Sequence, residues 1–238
     1  MDFGALLDDA FSYTRSGIFG NLNRWAALLL AVICLGIPMN GYVMRIYRGT
    51  DTAPDVDRWG TLFIDGLKLV IVGLIYSIPI LIVWAFIYGG MFIEMVKGNL
   101  VAAGNFEPNL ALLLLMYAVE IVIGIIMPVA SIRFARMNRF AEAFNFGAIF
   151  TTIGKIGWIR YILALIILAI VIGIPIFILV FGFIIVAGAG IYLTGGGNIA
   201  LLGLVALFIL VMLILSPLIG VFQARYMTRL YESAGPEE

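Results

Sequence analysis

Three groups of residues in this 238-residue sequence are of types that do chemistry. The first is Glu120, alone near the middle of an apolar run from Leu110 to Ile132. An ionisable side chain at that depth in hydrocarbon is costly and by default marks function. It could carry a proton or a cation, or touch a substrate, with Asn40 and Tyr117 as candidate polar companions at mid-depth. The bland alternative is a protonated or snorkelling glutamate bonded to a Ser, Asn or Tyr of a neighbouring helix. A lone carboxylate with no charged partner makes a weak relay.

The second group is an acidic turn, Asp51, Asp55 and Asp57, with Asp65 further on. Oxygen ligands of this kind can hold a divalent cation, but the spacing is not that of an EF-hand. Helix capping and pairing with Arg58 account for it more simply. The third group is arginine: Arg45 and Arg48, then Arg133, Arg136 and Arg139, then Arg225 and Arg229, each set at the exit of an apolar run. Such exits can hold anionic lipid headgroups. They can equally do no more than fix topology.

Much catalytic equipment is missing. There is no His, and the one cysteine, Cys34, excludes both an internal disulfide and a Cys–His metal motif. No phosphate-binding loop occurs, and no Ser or Cys has a plausible base. The expectation is therefore a protein that is not an enzyme, with no catalytic residues, no metal and no cofactor. Equal numbers of basic and acidic residues, 14 each, argue against a nucleic-acid partner. The first residues carry Asp2, Asp8 and Asp9 rather than a basic leader, so no signal peptide is expected.

The elements that must position these groups follow from hydropathy. The chain is 63% hydrophobic and 12% charged, whereas a soluble domain is about half apolar and about a quarter charged. Continuous apolar runs point to helices rather than a barrel. The reading is all-α: a polytopic helical membrane protein forming one domain over residues 1–238. About five transmembrane helices are expected, at 25–44, 69–93, 110–132, 161–193 and 199–222. The fourth is too short for two spans, so it is tilted, kinked at Pro175 or extended beyond the bilayer. A glycine-rich turn at 194–198 and a disordered tail at 233–238 complete the chain. Amphipathic stripes predict interfacial helices at 2–14, 56–68 and 140–155; the first could also pack under the bundle. Each span holds a proline, which either opens a path or kinks a helix for packing. The small-residue ladder Ser216, Gly220, Ala224 invites a close helix, from this chain or another.

Pro38, Pro128 and Pro217 recur at intervals of 90 and 89 residues. Trp59, Leu62, Phe63 and Lys68 superimpose on Phe146, Ile149, Phe150 and Lys155 at an offset of 87. The pattern reads as two and a half parallel repeats: span, basic exit, surface helix, span. One side of a five-span arrangement carries 11 of the basic residues, and the other carries Arg15, Arg24 and Lys97. The positive-inside bias then puts the C-terminus in the cytoplasm and the N-terminus outside. One feature resists that assignment. Helix 2–14 resembles the two cytoplasmic surface helices, and if it too is cytoplasmic, one apolar segment must be re-entrant or the fourth must be a hairpin.

The run Gly41-Tyr42-Val43-Met44-Arg45, the run Trp59 to Lys68 and the run Tyr76-Ser77-Ile78-Pro79 resemble an uncharacterised archaeal family of multi-pass membrane proteins, domain of unknown function 4013. Asp9-Ala10-Phe11-Ser12-Tyr13 fits the start of that family. The resemblance implies an archaeal cell membrane and brings no activity or site residue. Two readings follow. In one, the protein engages membrane lipid, a second copy or a membrane protein partner through its cytoplasmic helices and arginine exits. In the other, it is a small transporter or permease component, with Glu120 and the proline-broken spans lining the path.

Overall fold

The computed structural model describes residues 2–193 and 198–235. Helix α1 (Phe3–Thr14) begins where the Asp2 carboxylate accepts a hydrogen bond from the Gly4 amide at 2.8 Å. It loosens into a π-helical turn, Arg15–Phe19. Asn21 then caps α2 (Leu22–Ile33) by accepting from the Arg24 amide. Next come α3 (Ile37–Tyr47), α4 (Trp59–Val96), α5 (Leu100–Gly104) and α6 (Leu110–Met137). A 3-10 turn, Phe140–Phe144, leads to α7 (Phe146–Ile156), α8 (Trp158–Leu193) and α9 (Asn198–Glu232). Four of these, α4, α6, α8 and α9, are long and apolar enough to cross a membrane. A bent pair, Phe3–Phe19 and Leu22–Ile33, meets at 96° and raises the number to five if counted as one span. The fold is the all-α polytopic one that the hydropathy implies.

Residues 25–44 are not one span. The chain turns at Leu35 and Gly36, both left-handed with φ of 59° and 68°, a conformation that glycine adopts freely. Pro38 sits in the first turn of α3, where a missing N–H removes nothing from the helix. It starts a helix instead of kinking one. Arg24, at the head of α2, donates to the Asp55 carboxylate at 2.6 Å. Arg45, at the tail of α3, donates to the Asp55 carbonyl at 2.8 Å and the Asp57 carboxylate at 2.6 Å. Both ends of the α2–α3 hairpin hold the same loop, so the segment starts and finishes at one end of the molecule.

The N-terminal helix packs at that same end. Asp9 on α1 pairs with Arg225 and Arg229 near the end of α9, and the Tyr13 hydroxyl meets Thr50 at 2.9 Å. Helix α1 and the last turns of α9 therefore lie together. Arg15 and Arg24 join the other basic residues at one end of the molecule, the basic end. Of the 14 basic residues only Lys97 stands at the opposite, far end.

Other boundaries shift for local reasons. The stripe expected at 56–68 does not form a separate helix; from Trp59 on it is the start of the 38-residue α4. Its counterpart α7 is separate because Gly157, with φ of 96°, breaks the chain before α8. At an offset of 87 the first copy has Val70 there, which leaves the helix continuous. Helix α9 runs on past residue 222 to Glu232. Ser233 to Gly235 then continue as a hydrogen-bonded turn rather than a disordered tail. Residues 236–238, and 194–197 of the expected glycine-rich turn, lie outside the described residues.

The packed core gathers at the basic end. Tyr42, Met44, Ile46, Ile132, Phe134, Ile149, Ile153, Tyr161 and Tyr226 are all nearly or fully buried there. The closest crossing is that of α3 with α4. A Cβ at Gly41 would overlap the Leu62 carbonyl, and one at Gly66 would overlap the Ile37 carbonyl. Both positions therefore exclude any side chain. The ladder Ser216, Gly220, Ala224 is used within the chain: a Cβ at Gly220 would meet the Met39 Cε at 2.8 Å. Towards the far end the spans expose Leu81, Phe86, Leu114, Phe181 and Ile209, surface that suits acyl chains rather than water.

Candidate functional site at the basic end

Long-range arginine pairs tie the basic end together. Arg225, only 3% exposed, donates to Asp9 at 2.6 Å and to the Thr50 carbonyl at 2.6 Å, with its guanidinium 4.3 Å from the centre of the Tyr13 ring. One side chain thus joins α9, α1 and the loop after α3. Arg136 donates to Glu232 at 2.7 Å and to the Tyr47 carbonyl at 3.0 Å. Arg48 donates to Asp65 at 2.7 Å and to the Ala135 carbonyl at 3.3 Å. Arg133 donates to Glu142 at 2.7 Å. Charge-assisted pairs of this geometry are strong and directional, and planar guanidinium suits them better than ammonium does.

The carboxylates respond. Hydrogen bonding from Arg133, opposed by burial and helped by Asn145, holds Glu142 below the usual carboxylate range. The bond from Arg45 does the same for Asp57. Both lie outside the spans and are ionised counterions, not poised acids.

The residues singled out by sequence fall into separate places. Glu120 and Tyr117 are exposed on the outer surface of α6. Asn40 is half-buried on α3, and its side-chain amide donates to the Gly36 carbonyl at 3.0 Å. The three do not form a mid-depth polar site. The arginines also divide. Arg45, Arg48, Arg133, Arg136, Arg225 and Arg229 are engaged in ion pairs within the chain. Arg139 is 75% exposed, with Glu142 only at 4.0 Å. The acidic turn is spread among arginines: Asp55 on Arg24, Asp57 on Arg45 and Asp65 on Arg48. Arg58 is a distant partner of Asp57, at 3.9 Å, and no carboxylate caps α4. Among the described residues no three His, Cys, Asp or Glu side chains converge as metal ligands would.

Sequence reasoning missed two things. One is the partnership of Asp9 with Arg225, which are 216 residues apart and share no local signal. The other is that each amphipathic stripe has two edges. Leu62 and Gly66 face inward, as do Ile149 and Ile153, while Trp59 and Phe63, like Phe146 and Phe150, are 40–46% exposed. The same positions turn inward and outward at the offset of 87. The outward edges carry Arg58 and Lys68 on one copy, and Lys155, Trp158 and Arg160 on the other. Between the first edge and the ends of α3 and α6 lies an open recess of about 680 Å³, lined by Arg45, Arg48, Arg58, Lys68 and Arg136 with Asp57 and Asp65.

Span-length apolar helices define a multi-pass integral membrane protein. The sequence pattern of the family described as protein of unknown function (DUF4013) matches residues 25–181, more than half of the chain. The protein belongs to that family. No curated protein and no solved structure matches it.

Proposed function

We propose that this protein is a non-enzymatic component of the cell membrane, seated with its basic end in the cytoplasm, that gathers anionic lipid at that surface. The observation carrying this reading is the pair of outward aromatic and cationic edges, Trp59–Phe63–Lys68 and Phe146–Phe150–Lys155. Aromatic rings favour the headgroup depth, and lysine or arginine stems run along apolar surface with the charge in water. Among the described residues, Lys155 and Arg160 have no carboxylate partner, and Lys68 has only Asp65 at 3.9 Å. These cations are free for phosphate in a way that the interior arginines are not. What supports this orientation is the positive-inside bias, with Lys97 alone among the basic residues at the far end.

The test is native mass spectrometry of the full chain released from nanodiscs containing phosphatidylglycerol. Each cation near an anionic surface contributes about 1 kcal/mol, so removing one should lower retention roughly fivefold. Lys155→Ala with Arg160→Ala should shed phosphatidylglycerol adducts. Retention equal to that of the unmodified chain would end this reading. The transporter alternative gains no support from the exposed position of Glu120.

A further inference from the structure

A second feature of the basic end is separate from the arginine lattice. Helix α1 lies along α9, and between α1, α8 and α9 there is a groove of about 900 Å³. Its floor is apolar, formed by Val171, Pro175, Leu179, Leu215, Leu218 and Phe222. Its rim is not. Asp8, Ser12 and Arg15 line the α1 edge, spaced four and three residues apart and so aligned on one helix face. The Asp8 and Arg15 side chains are exposed and have no hydrogen-bond or ion-pair partner among the described residues. The neighbouring Asp9, one position on, is fully engaged by Arg225 and Arg229.

We propose that this groove holds one phospholipid with a zwitterionic, amine-bearing headgroup. The chemistry of the rim selects that class. Arg15 offers a planar fork for the phosphate oxygens, Ser12 offers an O–H beside it, and Asp8 offers a carboxylate for the ammonium. A purely anionic headgroup would meet Asp8 as a like charge, an element of discrimination against it. The floor runs from that rim along α8 and α9 into the span region, the direction an acyl chain takes. The size is that of ordinary small-ligand sites. This inference rests on the lipid-gathering reading only in placing lipid at the basic end; its residues are different.

The experiment is native mass spectrometry of the full chain in detergent, with phosphatidylethanolamine, phosphatidylglycerol or diacylglycerol of matched chains added in turn. The unmodified protein should retain one phosphatidylethanolamine in preference to the other two. Arg15→Ala should cut that retention about tenfold, the value of one charged hydrogen bond. Asp8→Asn should abolish the preference over phosphatidylglycerol. Leu215→Trp, which fills the floor without touching the rim, should remove the adduct altogether. Equal retention of the two phospholipids by the unmodified chain would overturn the proposal, as would unchanged retention in Arg15→Ala and Leu215→Trp. Lys155→Ala with Arg160→Ala serves as the control. If it sheds no phosphatidylglycerol while Arg15→Ala still loses phosphatidylethanolamine, the lipid-gathering reading fails and the groove stands.

Discussion

Arg48 and Arg136 exchange hydrogen bonds across the ends of α3 and α6. Arg48 Nε donates to the carbonyl of Ala135, the residue before Arg136, and Arg136 Nε donates to the carbonyl of Tyr47, the residue before Arg48. The two residues lie 88 positions apart, close to the intervals of the recurring prolines. Each also holds a carboxylate, Asp65 or Glu232. The exchange clamps the α2–α3 hairpin to α6, a helix long enough to span.

Breaking the clamp should destabilise the fold measurably. A hydrogen bond to a charged group contributes about 1.5–3 kcal/mol. Arg136→Ala also loses its position 5.0 Å from the Tyr231 ring centre and should lie at the upper end of that range. Arg48→Ala, more exposed, should lie at the lower end. Because each donates to the backbone beside the other, the double variant should be non-additive by roughly 0.5–3 kcal/mol. Thermal unfolding in detergent measures all three. Strict additivity would show that the two exchanges are independent.

The crossing of α3 and α4 makes a sharper contrast. Gly41→Ala and Gly66→Ala each push a methyl into backbone, Leu62 and Ile37 respectively. Backbone yields less readily than side chains, and a loss of about 1–3 kcal/mol or more is expected. Gly60, in the first turn of α4, has open space within 4 Å of the point where an added methyl would sit. Gly60→Ala should instead stabilise by about 0.5–1 kcal/mol through helix propensity. The same unfolding assay ranks the three variants, and equal effects would refute the close crossing.

Much of this fold is legible in the chain, for identifiable reasons. Spans announce themselves because hydrocarbon demands long apolar helices, as at Leu110 to Ile132 and in α8. The Gly41-Tyr42 and Gly66 positions stand out as motif before their reason, a backbone contact, is visible. The break in the expected first span has a definite cause. Residues 25–44 have the length and hydropathy of a span, and what divides them is a two-residue left-handed turn at Leu35 and Gly36. Pro38 reads the same whether it kinks a helix or starts one. The arginine exits are visible as positions, but their counterions, such as Asp9 for Arg225 and Glu232 for Arg136, are remote in sequence. Lattice and lipid contact therefore look alike until the chain is folded.

Acid should loosen the basic end. Glu142 and Asp57 are held below the usual carboxylate range by their arginines. A carboxylate whose pKa is depressed on folding contributes stability that is fully present above its unfolded value, about 4.3 for Glu and 3.9 for Asp. That contribution disappears as pH falls through the lower folded value. Thermal stability should thus be flat from neutrality to about pH 5 and decline below it. In Glu142→Gln the decline should be shallower. A slope unchanged in that variant would assign the acid sensitivity to other pairs.

The membrane side of each terminus can be read by labelling. In a Cys34→Ser background, Ala5→Cys, Asp51→Cys and Ser233→Cys should react with a membrane-impermeant maleimide from one face of oriented vesicles. Asn105→Cys, beyond α5 at the far end, should react only from the other. Labelling of Ala5→Cys together with Asn105→Cys would mean that the N-terminal segments cross completely.

Glu120 is the residue on which the two functional readings part most clearly. A proton or ion carrier needs its carboxyl turned towards a polar route, yet Glu120 stands on the outer surface of α6 beside exposed Tyr117 and Ile121. An ionisable group at that depth is costly to hold in hydrocarbon, so removing it should not weaken the fold. Glu120→Gln should leave expression and thermal stability unchanged to within about 0.5 kcal/mol, and Glu120→Leu should match or exceed the unmodified chain. Phosphatidylglycerol retention should be unaffected in both, since the cations proposed to hold it lie at the basic end. Destabilisation by Glu120→Gln would place a hydrogen-bonding partner against α6, from a second copy or another membrane protein, and would make that outer surface an interface.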